Sequence, residues 1–131
     1  MAGLAEKEMK NGSAEKLGKL VGVLFMARTA SHMAHLKTPS FAKHKALNEF
    51  YDGIVDLSDS FAEVAQGAYG ILDIPYLAVI GKIEDPIGML QAQLKQLDKL
   101  AEGCENKALE NIYQEIQALY LKTLYLLSKL D

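Results

Sequence analysis

His32, His44, Asp59 and Glu63 are the residues of this chain whose types and spacing suggest chemistry. Twelve residues separate the two histidines, fifteen more lead to Asp59, and Glu63 follows one helical turn later. Imidazole and carboxylate together are donors for iron, zinc, manganese or copper, and do not suit calcium, which takes oxygen ligands alone. One helix cannot gather them. His44 and Asp59 on the same helix stand roughly 22 Å apart along its axis, at about 1.5 Å per residue. The set closes into a site only if two copies of that helix lie antiparallel about a twofold axis, so a metal, a homodimer and an architecture are expected together.

The elements that would carry these residues follow from the punctuation of the chain. Thr38-Pro39-Ser40 is its clearest break: proline fits the first turn of a new helix, and Thr38 or Ser40 can cap it. Before it, a helix is expected from about Ala14 to Lys37, with Leu17, Leu20, Val21, Leu24 and Ser31 on one face. Residues 1–11 lack a periodic pattern, with Asn11-Gly12-Ser13 as stop and cap, and residues 1–12 read as a flexible lead-in. The second helix is expected from about Ser40 to Ala68, burying Leu47, Phe50, Ile54, Leu57, Phe61, Val64 and Ala68, with Gly67 and Gly70 closing it.

Residues 70–85 form the longest irregular stretch, whose apolar segment from Pro75 to Ile80 is expected as a short helix or turn packed on the bundle. Asp85 and Pro86 open a third helix with a seam of Ile87, Leu90, Leu94, Leu97 and Ala101, closed by Gly103. A fourth carries Leu109, Ile112, Ile116, Leu119, Thr123, Leu127 and Leu130. The expected fold is all-α: one domain over residues 1–131, a four-helix bundle with a longer connection between helices two and three.

The chain has 131 residues, half of them hydrophobic, and a net charge of −3. That balance offers no basic patch for nucleic acid, and Lys7, Lys10, Lys16 and Lys19 are interleaved with Glu6, Glu8 and Glu15. The apolar run from Leu20 to Ala27 is too short to span a bilayer. Cys104 is the one cysteine, so no intrachain disulfide can form, and a small apolar residue in a cytoplasmic protein is the expected reading.

On helix two, His44, Asn48, Asp52, Asp56, Asp59 and Glu63 fall within an arc of about 120° opposite the apolar face. A charged stripe of this kind is ordinarily a solvated surface. The alternative is a twofold interface whose axis passes near residues 52–53, where Gly53, costing about 1 kcal/mol relative to alanine in a helix, would let two backbones approach. His35 falls on the core face of helix one, which suits a buried, hydrogen-bonded histidine; His32 lies at the edge of that face. The spacing favours His32 as ligand and the loop length His35, so both stay open. The surplus of Tyr113, Tyr120, Tyr125 and Leu126 on helix four suggests a further subunit contact.

The segments "FAKHKALNEFYDGI" and "DSFAE" resemble helix two of the miniferritins, the ferritin-like DNA-binding proteins from starved cells. The resemblance covers about a quarter of the chain. It implies iron held by His32 and His44 of one subunit and by Asp59 and Glu63 of its dimer partner, with Fe(II) oxidised by peroxide or oxygen and stored in a larger homo-oligomer. Tyr51 matches an aromatic position beside that site and would act as an electron donor, although a half-buried tyrosine more often packs. Asn48 stands where an acid often joins the site, and Met33 where tryptophan is usual. The family's lysine-rich arm is missing, so its DNA binding does not carry over. "HLKTPSFAKH" also resembles an uncharacterised phage-associated ferritin-like group, in which His35 is the matching histidine. The alternatives from other classes are a non-catalytic helical interaction protein, such as a phage accessory component, and a dimer stapled by structural zinc.

Overall fold

A computed structural model describes residues 11–129. It contains α1 (Asn11–Lys37), α2 (Phe41–Tyr69), α3 (Pro86–Ala101) and α4 (Lys107–Lys129), with a long connection between α2 and α3. The helix ends follow local chemistry. Pro39 disfavours helical backbone in the residue before it, and α1 stops at Lys37. The Ser40 hydroxyl then accepts from the Lys43 N–H at 3.2 Å, capping α2. Pro39 thus precedes the cap and does not enter the first turn. Asp85 caps α3 through the Gly88 N–H, with Pro86 in its first turn, and the Asn106 side chain accepts from the Leu109 N–H at the start of α4.

Two boundaries differ from the sequence expectation. Asn11-Gly12-Ser13 lies within α1 and does not cap it. Gly67 also lies within α2, and only Gly70, at φ 94°, leaves the helical path. Residues 1–10 of the expected lead-in and Leu130 of the helix-four seam fall outside the described residues.

α1 packs on α2 and α3, and α4 on the same two helices, so the backbones of the diagonal pairs stay apart. Leu20, Leu24, Phe50, Ile54, Leu90, Leu97, Ile116 and Tyr120 are fully buried between them. The Phe50 and Tyr120 rings meet edge to face at 4.8 Å, a favoured aromatic geometry. The Tyr120 hydroxyl donates to Gln93 Oε1 at 2.9 Å, and the Gln93 amide reaches Met26 Sδ at 3.7 Å, which ties α1, α3 and α4 together through the core. Among the described residues no buried side-chain nitrogen or oxygen lacks a partner. Tyr113 donates to the Asp98 carboxylate. The surplus aromatics of helix four are thereby largely accounted for within the chain: Tyr113 and Tyr120 are buried, Leu126 packs on the core, and Tyr125 stays exposed beside Leu121.

The segment from Pro75 to Ile80 is neither a helix nor a tight turn. It runs as an extended strap along α1, with Leu72 buried and Ile74, Leu77 and Ile80 packed on the core, while Tyr76 and Val79 face out. Gly18 and Gly22, one turn apart on α1, explain the path. A Cβ on Gly18 would run into the Asp73 carbonyl oxygen, and one on Gly22 would stand 2.8 Å from that of Pro75. Backbone lies directly on backbone here. The two-residue step between those carbonyls is the repeat of extended chain. With α2, α3 and the strap around it, α1 buries Val23, Met26, Ala27 and Ala30 beyond the single expected face.

Gly22→Ala is expected to lower stability by about 1–3 kcal/mol, because the Pro75 backbone must give way. Gly67→Ala, whose Cβ meets nothing within 4 Å, should raise it by about 0.5–1 kcal/mol; urea denaturation of both variants checks the contrast. Burial, reinforced at Tyr113 by Asp98, pushes the Tyr113 phenol upward, and burial does the same for Tyr120. The unfolded chain therefore ionises these tyrosines first. Their contribution to stability is complete below about pH 10 and is lost as pH rises beyond it, which should appear as a falling urea midpoint.

Candidate functional site

The Pro39 turn folds α2 back along α1, and this reversal brings the three histidines together at one corner of the bundle. His35 is buried, and His32 and His44 are partly covered. The His35 Nδ1–H donates to the His44 carbonyl oxygen at 2.6 Å, and the His44 Nδ1–H donates to the His35 carbonyl oxygen at 2.8 Å. A carbonyl can only accept, so both Nδ1 atoms carry a proton, and Nε2 is the ring nitrogen left outside the clip. The two rings stack with centroids 3.5 Å apart. The result is a reciprocal clip, in which each histidine ties down the other's backbone.

Further rings extend the clip on both sides. Tyr51 stacks on His32 at 4.2 Å and meets the His35 ring edge at 5.3 Å. The Arg28 guanidinium stands 5.6 Å from the Tyr51 centroid, within the range of a cation–π contact. On the other flank the exposed Phe41 ring lies roughly parallel to His44 at 6.1 Å. The Tyr51 hydroxyl donates to Asn48 Oδ1 at 2.7 Å, and the Asn48 amide donates to Asp52 at 3.1 Å.

The structure therefore gathers His32, His35, His44, Asn48 and Tyr51 into one cluster. Asp59 and Glu63 are exposed on α2, roughly four and five turns along the helix from His44, and are not part of it within one chain. Among the described residues no three His, Cys, Asp or Glu side chains converge as a metal-holding group. His35 is the buried, hydrogen-bonded histidine that its place on the core face suggested. Gly53 has a role different from the expected one. A Cβ there would stand 3.0 Å from Leu119 Cδ2, so the missing side chain admits α4 of the same chain, and it lies to the side of the charged stripe. Arg28 and Phe41 join the ring stack without any signal from the motif spacing. Only the antiparallel register across Pro39 brings them in.

No helix among the described residues is long and apolar enough to cross a membrane. Residues 35–127 match a family of unknown function, DUF5856, in a stretch that begins at His35 and includes His44. The chain is also similar to an uncharacterized 14.6 kDa protein from the mobD-ri intergenic region of Enterobacteria phage T4. The two are 28% identical over 120 residues, covering 91% of this chain and 93% of the phage protein. No solved structure matches the chain.

His44→Ala removes one donor from the clip and leaves the His35 carbonyl without its partner, so it should cost about 1–3 kcal/mol in chemical denaturation. Asp59→Asn, at an exposed position, should stay within about 0.5 kcal/mol of the unaltered protein.

Proposed function

We propose that this chain, which belongs to the family of unknown function DUF5856, is a non-catalytic helical interaction protein, a phage accessory component acting in the cytoplasm. One observation carries the reading: the reciprocal bonds between His35 and His44 make the histidine cluster a joint between α1 and α2. The contact between Gly53 and Leu119 removes the separate argument that Gly53 marks a crossing with a second chain. The similarity to a phage T4 protein supports the phage setting.

A second reading retains the miniferritin-like chemistry. In it, two copies pair through antiparallel α2 helices within a larger homo-oligomer. His44, with His32 or His35, would then share iron with Asp59 and Glu63 of the other copy; zinc or manganese are the alternative ions, and Tyr51 the electron donor. A specific feature favours it: backbone carbonyls hold both Nδ1 atoms and leave Nε2 as the donor, the arrangement usual in metal-binding histidines. Fe(II) would be the substrate, oxidised by peroxide or oxygen.

The two readings separate in an anaerobic Fe(II) titration followed by peroxide, on the wild type and on the double variant Asp59→Asn/Glu63→Gln. That pair suits the test better than His44, because both side chains are exposed and outside the clip. No stoichiometric iron uptake and no ferric absorbance in either protein is the expected result. Stoichiometric uptake and rapid oxidation that disappear in the double variant would overturn the non-catalytic reading and establish the shared metal site.

A further inference from the structure

The strap crosses the outer face of α1 at Gly18 and Gly22 and continues past Phe25 and Thr29, with Glu84 reaching Lys37 at the far end. Phe25, Met33 and Leu36 nonetheless stay exposed, with Leu36 at 69%. Across the seam, α2 exposes Phe41, at 74%, and Val55. Five large apolar side chains thus occupy neighbouring outer faces of two antiparallel helices, and a concentration of this kind marks a contact surface.

The charges on the same surface indicate its occupant. Arg28 is the one charged residue of α1 between Phe25 and Leu36, while α2 carries Lys43 and Lys45 at one end of the same length and Glu49 and Asp52 near the level of Arg28. Among the described residues neither carboxylate is ion-paired, and the single salt bridge joins Lys37 to Glu84. The helix register follows from contacts already described: Arg28 is level with Tyr51, and His35 with His44. By that register Phe25 is level with Ile54 and Val55, and Leu36 with Lys43.

We infer that this face docks a second copy of the chain, about a twofold axis that runs along the α1–α2 seam parallel to the helices. Such an axis keeps every residue at its own level and lays α1 of each copy antiparallel over α2 of the other. Phe25 then meets the partner's Val55, Arg28 the partner's Asp52, and Leu36 approaches the partner's Phe41. Each contact forms twice, as in any isologous interface, and the assembly closes as a dimer. Pairing α2 directly on α2 would instead bring Glu49, Asp52 and Asp56 of the two copies together near residues 52–53, where like charges repel unless a cation neutralises them.

The inference rests on the interaction reading and names its partner. Light scattering coupled to size exclusion, across micromolar concentrations and without added metal, tests it. The expected result is a dimer, weakened about tenfold or more by Leu36→Glu, a loss of at least about 1.4 kcal/mol. Asp52→Arg should weaken it as well, and the double variant Arg28→Asp/Asp52→Arg should restore it. Asp59→Asn/Glu63→Gln should leave it unchanged. Thermal melts of each variant separate loss of pairing from loss of fold. A monomeric wild type, or a dimer indifferent to Leu36→Glu, overturns the inference, as does a dimer that needs Asp59, Glu63 and metal. Iron oxidation in the titration above overturns the interaction reading whatever the subunit count, so the two failures are distinguishable.

Discussion

Covering α1 on three sides is the constraint on which the rest of this structure depends. Its stretch from Leu17 to Ala27 is apolar around most of its circumference, and two neighbouring helices can cover only part of that surface. The strap covers the remainder. It can do so only because Gly18 and Gly22 let the carbonyls of Asp73 and Pro75 sit where side chains would otherwise stand. The long connection between α2 and α3 is therefore part of the core wall. Its path from Gly70 to Asp85 runs along α1 and delivers α3 to its place beside that helix.

At the other end of α1 the chain must reverse within a few residues, and the histidine clip holds that reversal. Two hydrogen bonds, each from a side chain to the backbone of the opposite helix, fix the relative height of α1 and α2. The stack of Tyr51 on His32 and of Arg28 over Tyr51 follows from that height. So does the register that sets Phe25 level with Val55 along the outer face. The same imidazoles that look like ligands in the sequence are, in the fold, donors to carbonyls. The two roles use different nitrogens, so the clip through Nδ1 and a metal bond on Nε2 are chemically compatible.

The polar groups inside the bundle act in the same way. Gln93 lies between Tyr120 and Met26 with no exposed surface, and its amide joins three helices. A core of leucines alone would tolerate axial sliding of one helix past another. A buried amide that must meet a phenol at one height does not, because leaving either group unpaired costs a kilocalorie per mole or more. Gly53 against Leu119 sets the spacing of α2 and α4 on the remaining side.

The sequence by itself determined the four helices, the proline break, the cap at Asp85, and the seams centred on Leu20, Phe50, Leu90 and Ile116, because periodicity and capping are local properties; between Thr38 and Ser40 as cap of the second helix the structure decided. It also placed His35 on the core side of α1. Tertiary structure alone decided that His35 and His44 bind each other's backbone, that Gly53 admits Leu119, and that the segment after Gly70 lies extended on Gly18 and Gly22. Each of these depends on the relative height of two elements distant in the chain, and helical periodicity carries no information about that height. The spacing of His32, His44, Asp59 and Glu63 is a property of the sequence alone, but one helix holds Asp59 and Glu63 far from His44, and only a second chain can bring them closer.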